Sequence, residues 1–204
     1  MRPPKNNDVE STRSTIHDTP TAYFHTNLGR FIFFVSFSGG LYEYYWFYKN
    51  WMITEQASKG KRIRAILRSC ISPFLCWRLF KRIHSDAARY GYQHSKLFRR
   101  ATLLYLLAFT LPPMSMAITL LTTSFMTTES INALFILFIP KIVSLFALIV
   151  RIQALLIAQR AIKFYNQHAI PGYIIKRKNT TFEWFCVVWI LIFYISYVMP
   201  LFAP

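Results

Sequence analysis

The sequence predicts an all-α, polytopic membrane protein with about four transmembrane helices and one amphipathic helical stretch at the membrane surface. First, 54% of its 204 residues are hydrophobic. They gather in long runs, and about 20 apolar residues suffice to cross a hydrocarbon core about 30 Å thick. Second, the chain has a net charge of +16. Its lysines and arginines lie between the apolar runs, as is typical of segments that face the cytoplasm.

The first 28 residues differ from the rest of the chain. They are rich in Ser, Thr, Asn and Asp and show no apolar periodicity, so they are predicted to form a disordered polar tail. Residues 29–204 are then predicted to form a single helical membrane domain. No secretory signal peptide is indicated, because the first apolar run begins only at Phe31 and no A-x-A cleavage pattern follows it.

Residues 31–48 form the first predicted span. At about 1.5 Å per residue the run is long enough to cross the membrane, although Gly39, Gly40 and Glu43 interrupt it. Its second half is crowded with aromatic residues and ends beside Lys49. Aromatic rings beside a lysine are typical of the boundary between hydrocarbon and headgroups, so we interpret them as an interfacial anchor rather than a ligand cage.

Residues 59–82 are predicted to lie in the membrane surface rather than to cross it. Apolar residues recur there at helical spacing against Arg64 and Arg68, and Pro73 divides the stretch into two pieces. Five basic residues are hypothesised to contact anionic lipid headgroups: Arg64, Arg68, Arg78, Lys81 and Arg82. The alternative is that these charges only set the orientation of the chain in the membrane.

Three further spans are predicted. Residues 101–126 contain no charge and form the clearest span, kinked at two adjacent prolines. A short polar segment separates them from residues 133–150, so the two runs are expected to form a helical hairpin. The second helix is expected to continue through residues 151–165 and to become more polar as it leaves the membrane. The final span is residues 184–202, which are apolar throughout.

The positions of the basic residues predict the orientation. Residues 49–100 hold thirteen lysines and arginines and residues 151–178 hold six more, so both segments are placed in the cytoplasm. The hairpin tip at residues 127–130 has none and is placed outside. Four spans then leave both termini outside, together with the basic residues of the tail. The alternative is a re-entrant first segment, which turns at Gly39 and Gly40 and keeps the tail inside.

Glu43 and Lys141 each place a charge within an apolar run, and charges at such depth usually find a partner. In the four-span arrangement they lie roughly 9 and 15 Å from the cytoplasmic charges at Lys49 and Arg151. An intramembrane ion pair between Glu43 and Lys141 is therefore a hypothesis. The alternative keeps Glu43 at the interface among tyrosine hydroxyls, while Lys141 extends to water or faces a cavity.

Patterns for catalysis or cofactor binding are missing from the sequence. It has no Ser-His-Asp order, paired carboxylates, glycine-rich phosphate loop or HExxH motif, and its eight acidic residues leave little material for acid–base chemistry. The three cysteines form no CxxC pair and the five histidines are scattered singly, so neither zinc nor a disulfide is indicated. We expect a protein that is not an enzyme and that uses neither a cofactor nor a metal.

The function predicted from these features is that of a non-enzymatic membrane scaffold or accessory protein. Its basic cytoplasmic face would contact anionic lipid, and its helices would contact a protein partner or a second copy of the chain. Nucleic acid is not expected as a partner, because the basic residues follow the membrane-topology pattern. The alternative is a small channel or transport component, although the sequence lacks the internal repeat common in transporters.

Two blocks of the sequence carry a family resemblance. The aromatic run LYEYYWFYKNW at residues 41–51 is followed by ISPF at 71–74, and QRAIKFYN at 159–166 is followed by NTTFEW at 179–184. Together they resemble a family of small, uncharacterised bacterial proteins with several spans in the inner membrane. The resemblance covers roughly residues 30–189 and implies a bacterial inner-membrane location. It implies no activity and no catalytic residues.

Overall fold

The structure is a computed structural model, and it describes residues 21–54, 59–93, 95–125, 132–174 and 180–198. Within these ranges the chain forms seven α-helices and no strand, which confirms the predicted all-α class. In chain order the helices are α1 (Leu28–Phe37), α2 (Leu41–Thr54), α3 (Lys59–Cys70), α4 (Ser72–Ala88), α5 (Ser95–Phe125), α6 (Asn132–Ala169) and α7 (Thr181–Val198). The tail up to residue 20, the predicted hairpin tip, the basic residues 176–178 and the end of the last predicted span lie outside the described residues.

Helices α1 and α2 form a tight hairpin where one continuous span was predicted. The chain turns at Gly39 and Gly40, whose φ angles of 62° and 93° belong to a conformation that residues with a side chain rarely adopt. The ring centroids of Phe31 and Trp46 lie 6.1 Å apart, whereas a straight helix would separate them by about 22 Å. The prediction of a single span over residues 31–48 is therefore wrong, and the turn lies at the glycines of the re-entrant alternative.

Helices α5 and α6 pack against each other as a long pair. In the described chain they are the two helices that are long and apolar enough to cross a membrane, over Lys96–Leu121 and Phe138–Ala169. Helix α7 qualifies only as a shorter apolar helix, over Thr181–Ile192. The described structure therefore contains two candidate spans instead of the four that were predicted.

Packing divides the α5–α6 pair into two halves. In the outer half, residues 107–125 and 132–150, the buried side chains among those described are few and small: Ala108, Ser115 and Ala147. In the inner half, residues 95–106 and 151–169, one face of α6 is packed along its whole length. The buried apolar residues of that face recur every three or four positions: Ala154, Leu155, Ala158, Ala161, Ile162 and Tyr165.

Helices α2 and α4 cover the inner half and supply its aromatic core. The rings of Phe47 and Phe80 stack with centroids 6.1 Å apart, and the ring of Tyr105 on α5 lies 5.5 Å from Phe47 and 6.1 Å from Phe80. All three residues are buried. The fold is therefore a helical bundle built around the inner half, from which the bare outer half projects.

The extended segment 21–27, which precedes α1, also belongs to the bundle. Its backbone is held by two buried asparagines. The backbone N–H of Tyr23 donates to Oδ1 of Asn166 at 2.9 Å, and Nδ2 of Asn166 donates to the carbonyl of Tyr23 at 2.8 Å. The N–H of Phe24 donates to Oδ1 of Asn50 at 3.1 Å. The predicted tail boundary at residue 28 is thus too late, because these amides give an extended backbone its hydrogen bonds.

Helices α3 and α4 are the two pieces of the predicted amphipathic stretch. The break falls at Ile71, and Pro73 occupies the first turn of α4, where the missing backbone N–H of a proline costs no helical hydrogen bond. The division predicted at Pro73 is confirmed.

Candidate functional site

The outward side of α3 is apolar. Ile63, Ile66 and Leu67 are exposed, whereas Ala65 and Ser69 are buried, and the helix packs chiefly on α2. At 3.6 residues per turn these two sets project in roughly opposite directions. Helix α3 therefore points its large apolar side chains away from the protein, the reverse of an amphipathic helix that packs on a soluble core.

The exposed side of α4 changes character along the helix. Near its start Phe74, which is 76% exposed, and Trp77 project outward. From the next turn onward the exposed residues include Arg78, Lys81 and Arg82. The apolar patch of α3 thus continues onto the first turns of α4, where basic residues border it.

All five residues predicted to contact lipid lie on this part of the protein. Four of them are exposed: Arg64, Arg78, Lys81 and Arg82. The Lys81 ammonium lies 5.2 Å from the ring centroid of Trp77. Arg68 is half-buried, and its guanidinium lies 5.2 Å from the ring centroid of Trp51. Cation–π contacts therefore hold two of the cations beside the apolar patch. We call the exposed apolar residues of α3 and α4, together with these five basic residues, the α3–α4 surface.

Glu43 lies inside the bundle, with 4% of its surface exposed. Its carboxylate accepts a hydrogen bond from the hydroxyl of Tyr105 on α5 and lies 3.5 Å from Nη1 of Arg151 on α6. A buried carboxylate is costly unless opposite charge and hydrogen bonds compensate it. These contacts tie α2 to the inner half of the α5–α6 pair. Neither Tyr105 nor Arg151 was named as a partner from the sequence, although the alternative interpretation placed Glu43 among tyrosine hydroxyls.

The hypothesis that pairs Glu43 with Lys141 is not what the structure contains. Lys141 is exposed and its ammonium lies 5.7 Å from the ring centroid of Phe138, while Arg151 occupies the position beside the carboxylate. Lys141 and Arg151 are separated by about 15 Å along α6. The hypothesis placed Glu43 in the membrane by counting residues along a straight span. The turn between α1 and α2 breaks that span, so the count gives the wrong position for Glu43.

A second buried carboxylate lies at the start of α7. Glu183, 1% exposed, accepts hydrogen bonds from the Tyr42 hydroxyl at 3.1 Å and the Arg30 guanidinium at 2.7 Å. It also accepts from the backbone N–H of Thr180 at 2.7 Å, and its own N–H donates to the Thr180 hydroxyl at 3.3 Å. This is a capping box, and Thr-x-x-Glu before an apolar run is the sequence signal that could have identified Glu183.

The two carboxylates belong to one polar layer, because Tyr42 binds Glu183 and is the neighbour of Glu43 in the chain. The layer consists of Arg30, Tyr42, Glu43, Tyr105, Arg151 and Glu183. Its two carboxylates face two guanidinium groups, so its formal charges cancel. On α5 and α6 the layer lies where the packed inner half meets the bare outer half, and α7 begins at it.

Comparison with known proteins identified no relative: a scan of protein-family models, a search of curated proteins and a search of solved structures each found no match. Within the part of the chain that the structure describes, no group of three or more His, Cys, Asp or Glu residues is arranged to hold a metal. The observations that bear on function are therefore the α3–α4 surface, the polar layer and the bare outer half.

Proposed function

We propose that this chain is a multi-pass protein of the bacterial inner membrane and acts there as a non-enzymatic scaffold or accessory protein. The α3–α4 surface carries the proposal, because its apolar patch points away from the protein and is bordered by basic residues. Such a surface suits the boundary of an anionic membrane. Apolar side chains enter the hydrocarbon while the cations meet lipid phosphates.

The bare outer half of α5 and α6 supports insertion into lipid. Large apolar residues cover it, including Leu107, Met114, Ile142 and Leu145, and all four are at least half exposed. A surface with so many large exposed apolar residues is unusual on a soluble protein, whereas lipid covers it without further contacts; Lys141 is the exposed charge on this half among the described residues. Small residues between the two helices, such as Ala108 and Ala147, permit the close approach that favours helix pairing in membranes.

The proposed topology has three crossings, α5, α6 and α7, and the α1–α2 hairpin enters only the cytoplasmic leaflet. Segment 21–27 supports this arrangement, because it is bonded to Asn166 near the end of α6 that the basic residues assign to the cytoplasm. The basic residues of the tail then stay on the cytoplasmic side. The four-span arrangement instead required these basic residues to cross the membrane. With three crossings, the end of α7 lies outside.

Spin labels test the proposed position of α4. In full-length protein without its native cysteines, reconstituted into vesicles of phosphatidylglycerol and phosphatidylcholine, Phe74→Cys and Arg82→Cys each receive a nitroxide. We expect oxygen to relax the label at 74 and a water-soluble nickel chelate to relax the label at 82, about 12 Å further along the helix. Tyr90→Cys is an aqueous control. Equal access of the chelate to labels at 74 and 82 would contradict the proposal.

Lipid extracted together with the protein tests the electrostatic part. Replacing Arg64, Arg78 and Arg82 with glutamine should lower the enrichment of phosphatidylglycerol around the protein, since each basic residue near an anionic surface contributes about 1 kcal/mol. The matched control replaces the same three residues with lysine and should keep the enrichment. Equal enrichment in both variants would leave the basic residues with a role in orientation only.

Reconstitution distinguishes a scaffold from a channel or transport component. A scaffold should leave the flux of ions and small solutes across vesicle membranes unchanged and should be crosslinked to a partner or to a second copy in native membranes. Flux that depends on the amount of protein would favour the transport alternative.

A further inference from the structure

On the cytoplasmic part of the bundle, a groove of about 400 Å³ lies between the turn before α5, the start of α5 and the last turns of α6. It is remote in sequence from the α3–α4 surface and shares no residue with it. Arg160, Lys163 and Gln167 line one side of the groove, and all three are exposed. Because 160, 163 and 167 are spaced by three and four residues, their side chains lie on one face of α6.

Among the described residues, no carboxylate balances the charge in this groove. The described part of the chain contains three acidic residues, and each has a partner elsewhere. Glu43 and Glu183 belong to the polar layer, and Asp86 accepts a hydrogen bond of 2.6 Å from the Tyr23 hydroxyl. Two cations that share a groove with no acidic neighbour among the described residues create a positive potential that favours an anion.

The remaining walls of the groove are apolar and aromatic. Leu97 and Ile157 line it together with Phe164 and Tyr92, whose ring centroids lie 5.1 Å apart. Phe164 in turn stacks on His168 with ring centroids 4.0 Å apart. A ligand held here would place its anionic group on Arg160 and Lys163 and a less polar group against these side chains. Inorganic phosphate would contact the two cations but would leave the apolar walls without a ligand group.

The position of the groove fits an amphiphilic anion. Arg160 lies nine residues beyond Arg151 of the polar layer, about 14 Å along α6. On α5, Leu97 precedes the first exposed apolar residue, Leu103, by six residues or about 9 Å. The groove therefore lies just below the apolar part of α5 and α6, where both a lipid headgroup and a soluble metabolite can reach it.

We propose that this groove is a binding site for a phosphate ester that carries an apolar or aromatic substituent, with Arg160 and Lys163 as the phosphate-binding residues. A guanidinium offers paired donors to phosphate oxygens and an ammonium adds a point charge. Gln167 and the apolar walls then select for the substituent. The site does not depend on how α3 and α4 meet the membrane, so it is tested separately from the proposed function.

Native mass spectrometry of the full-length protein in a non-ionic detergent tests the site with four probes: short-chain phosphatidylglycerol, short-chain phosphatidylcholine, glycerol 3-phosphate and inorganic phosphate. We expect phosphatidylglycerol to bind more tightly than phosphatidylcholine. The double variant Arg160→Gln, Lys163→Gln should weaken that binding about 30-fold, since each basic residue contributes roughly a factor of five. The control Arg99→Gln, Arg100→Gln removes the same charge from exposed residues of α5 outside the groove and should change it less than about twofold.

The probes also identify the source of the phosphate ester. Competition by glycerol 3-phosphate would assign the site to a soluble phosphate ester, and its failure to compete would assign the site to a lipid headgroup; either result supports the proposal. The charge-conserving variant Arg160→Lys, Lys163→Arg should bind within about threefold of the wild type, which separates loss of charge from loss of structure. The proposal is overturned if the glutamine variant binds like the wild type, if the α5 control loses as much, or if no probe binds.

Discussion

Glu43 is buried and Arg151 is half-buried, so removal of Arg151 leaves the Glu43 carboxylate with the Tyr105 hydrogen bond but without its opposite charge. Glu43→Gln and Arg151→Met should each lower the free energy of unfolding by about 2–3 kcal/mol. The loss in the double variant should be clearly smaller than the sum of the two single losses, because the same pair is removed in all three variants. Chemical unfolding in detergent measures the three losses.

Lys141→Met is the matched control for this pair. Its ammonium is exposed on the outer half of α6, about 15 Å along the helix from Arg151, so its loss should not couple to Glu43→Gln. Strictly additive losses for Glu43 and Arg151 would contradict the assigned pair. Coupling of Glu43 to Lys141 instead would restore the pairing hypothesised from the sequence.

His25 makes the stability of the bundle depend on pH. It is half-buried in segment 21–27, and burial, with a smaller effect of the Lys163 ammonium, lowers the pKa of its imidazole to about 4. The unfolded chain, with a pKa near 6.5, therefore takes up the proton first as the pH falls. The contribution of neutral His25 is complete above about pH 6.5 and is lost between about pH 6.5 and 4.

Thermal unfolding in detergent between pH 7.5 and 4.5 measures this effect. The wild type should lose stability over this range because of this residue, and His25→Gln should show a correspondingly flatter dependence on pH. Parallel curves for the two proteins would show that His25 does not titrate as assigned.

The α1–α2 hairpin depends on two glycines whose backbone conformation other residues adopt only at a cost. No atom lies within 4 Å of a Cβ built on Gly40, so the cost of Gly40→Ala comes from its φ of 93° alone. We expect Gly40→Ala to destabilise the protein by about 1–2 kcal/mol. Chemical unfolding in detergent measures the change.

Gly29→Ala is the control at the level of the helix. Gly29 lies in the first turn of α1 and has equally open surroundings, so alanine there should be neutral or stabilising by up to about 1 kcal/mol. If the two alanine variants behave alike, the turn between α1 and α2 does not need a left-handed residue and the hairpin assignment fails.

For the molecule as a whole, the proposed three-crossing topology and the four-span arrangement predict opposite sides of the membrane for the tail. Thr21 is the first residue of the packed segment 21–27 and is exposed, while Thr128 belongs to the hairpin tip predicted from the sequence. In full-length protein without native cysteines, an impermeant thiol reagent applied to intact cells should label Thr128→Cys and should not label Thr21→Cys. The four-span arrangement expects both to react, because it places both termini outside.

Permeabilised cells provide the control for accessibility. Thr21→Cys should react once the membrane is opened, since its side chain is exposed. Labelling of Thr21→Cys in intact cells would reject the cytoplasmic tail and with it the three-crossing topology.

Local patterns in the sequence determined which segments are helical and what they present to their surroundings. The amphipathic spacing around Arg64, the break at Pro73 and the long apolar runs of α5 and α6 are all readable within a few turns of the chain. Each depends on residues that are close in sequence, and helical periodicity is a local property. The all-α class and the two pieces of the amphipathic stretch were therefore predictable.

The tertiary structure alone decided how these elements meet. The contact between Glu43 and Arg151 joins residues 108 positions apart, and that between Tyr23 and Asn166 joins residues 143 positions apart. Such pairs cannot be predicted from a local pattern, because a buried charge or an extended backbone pairs with whichever group the packing brings near. The turn between α1 and α2 redirects every later contact of α2, so a count of depth along a straight span could not identify Arg151.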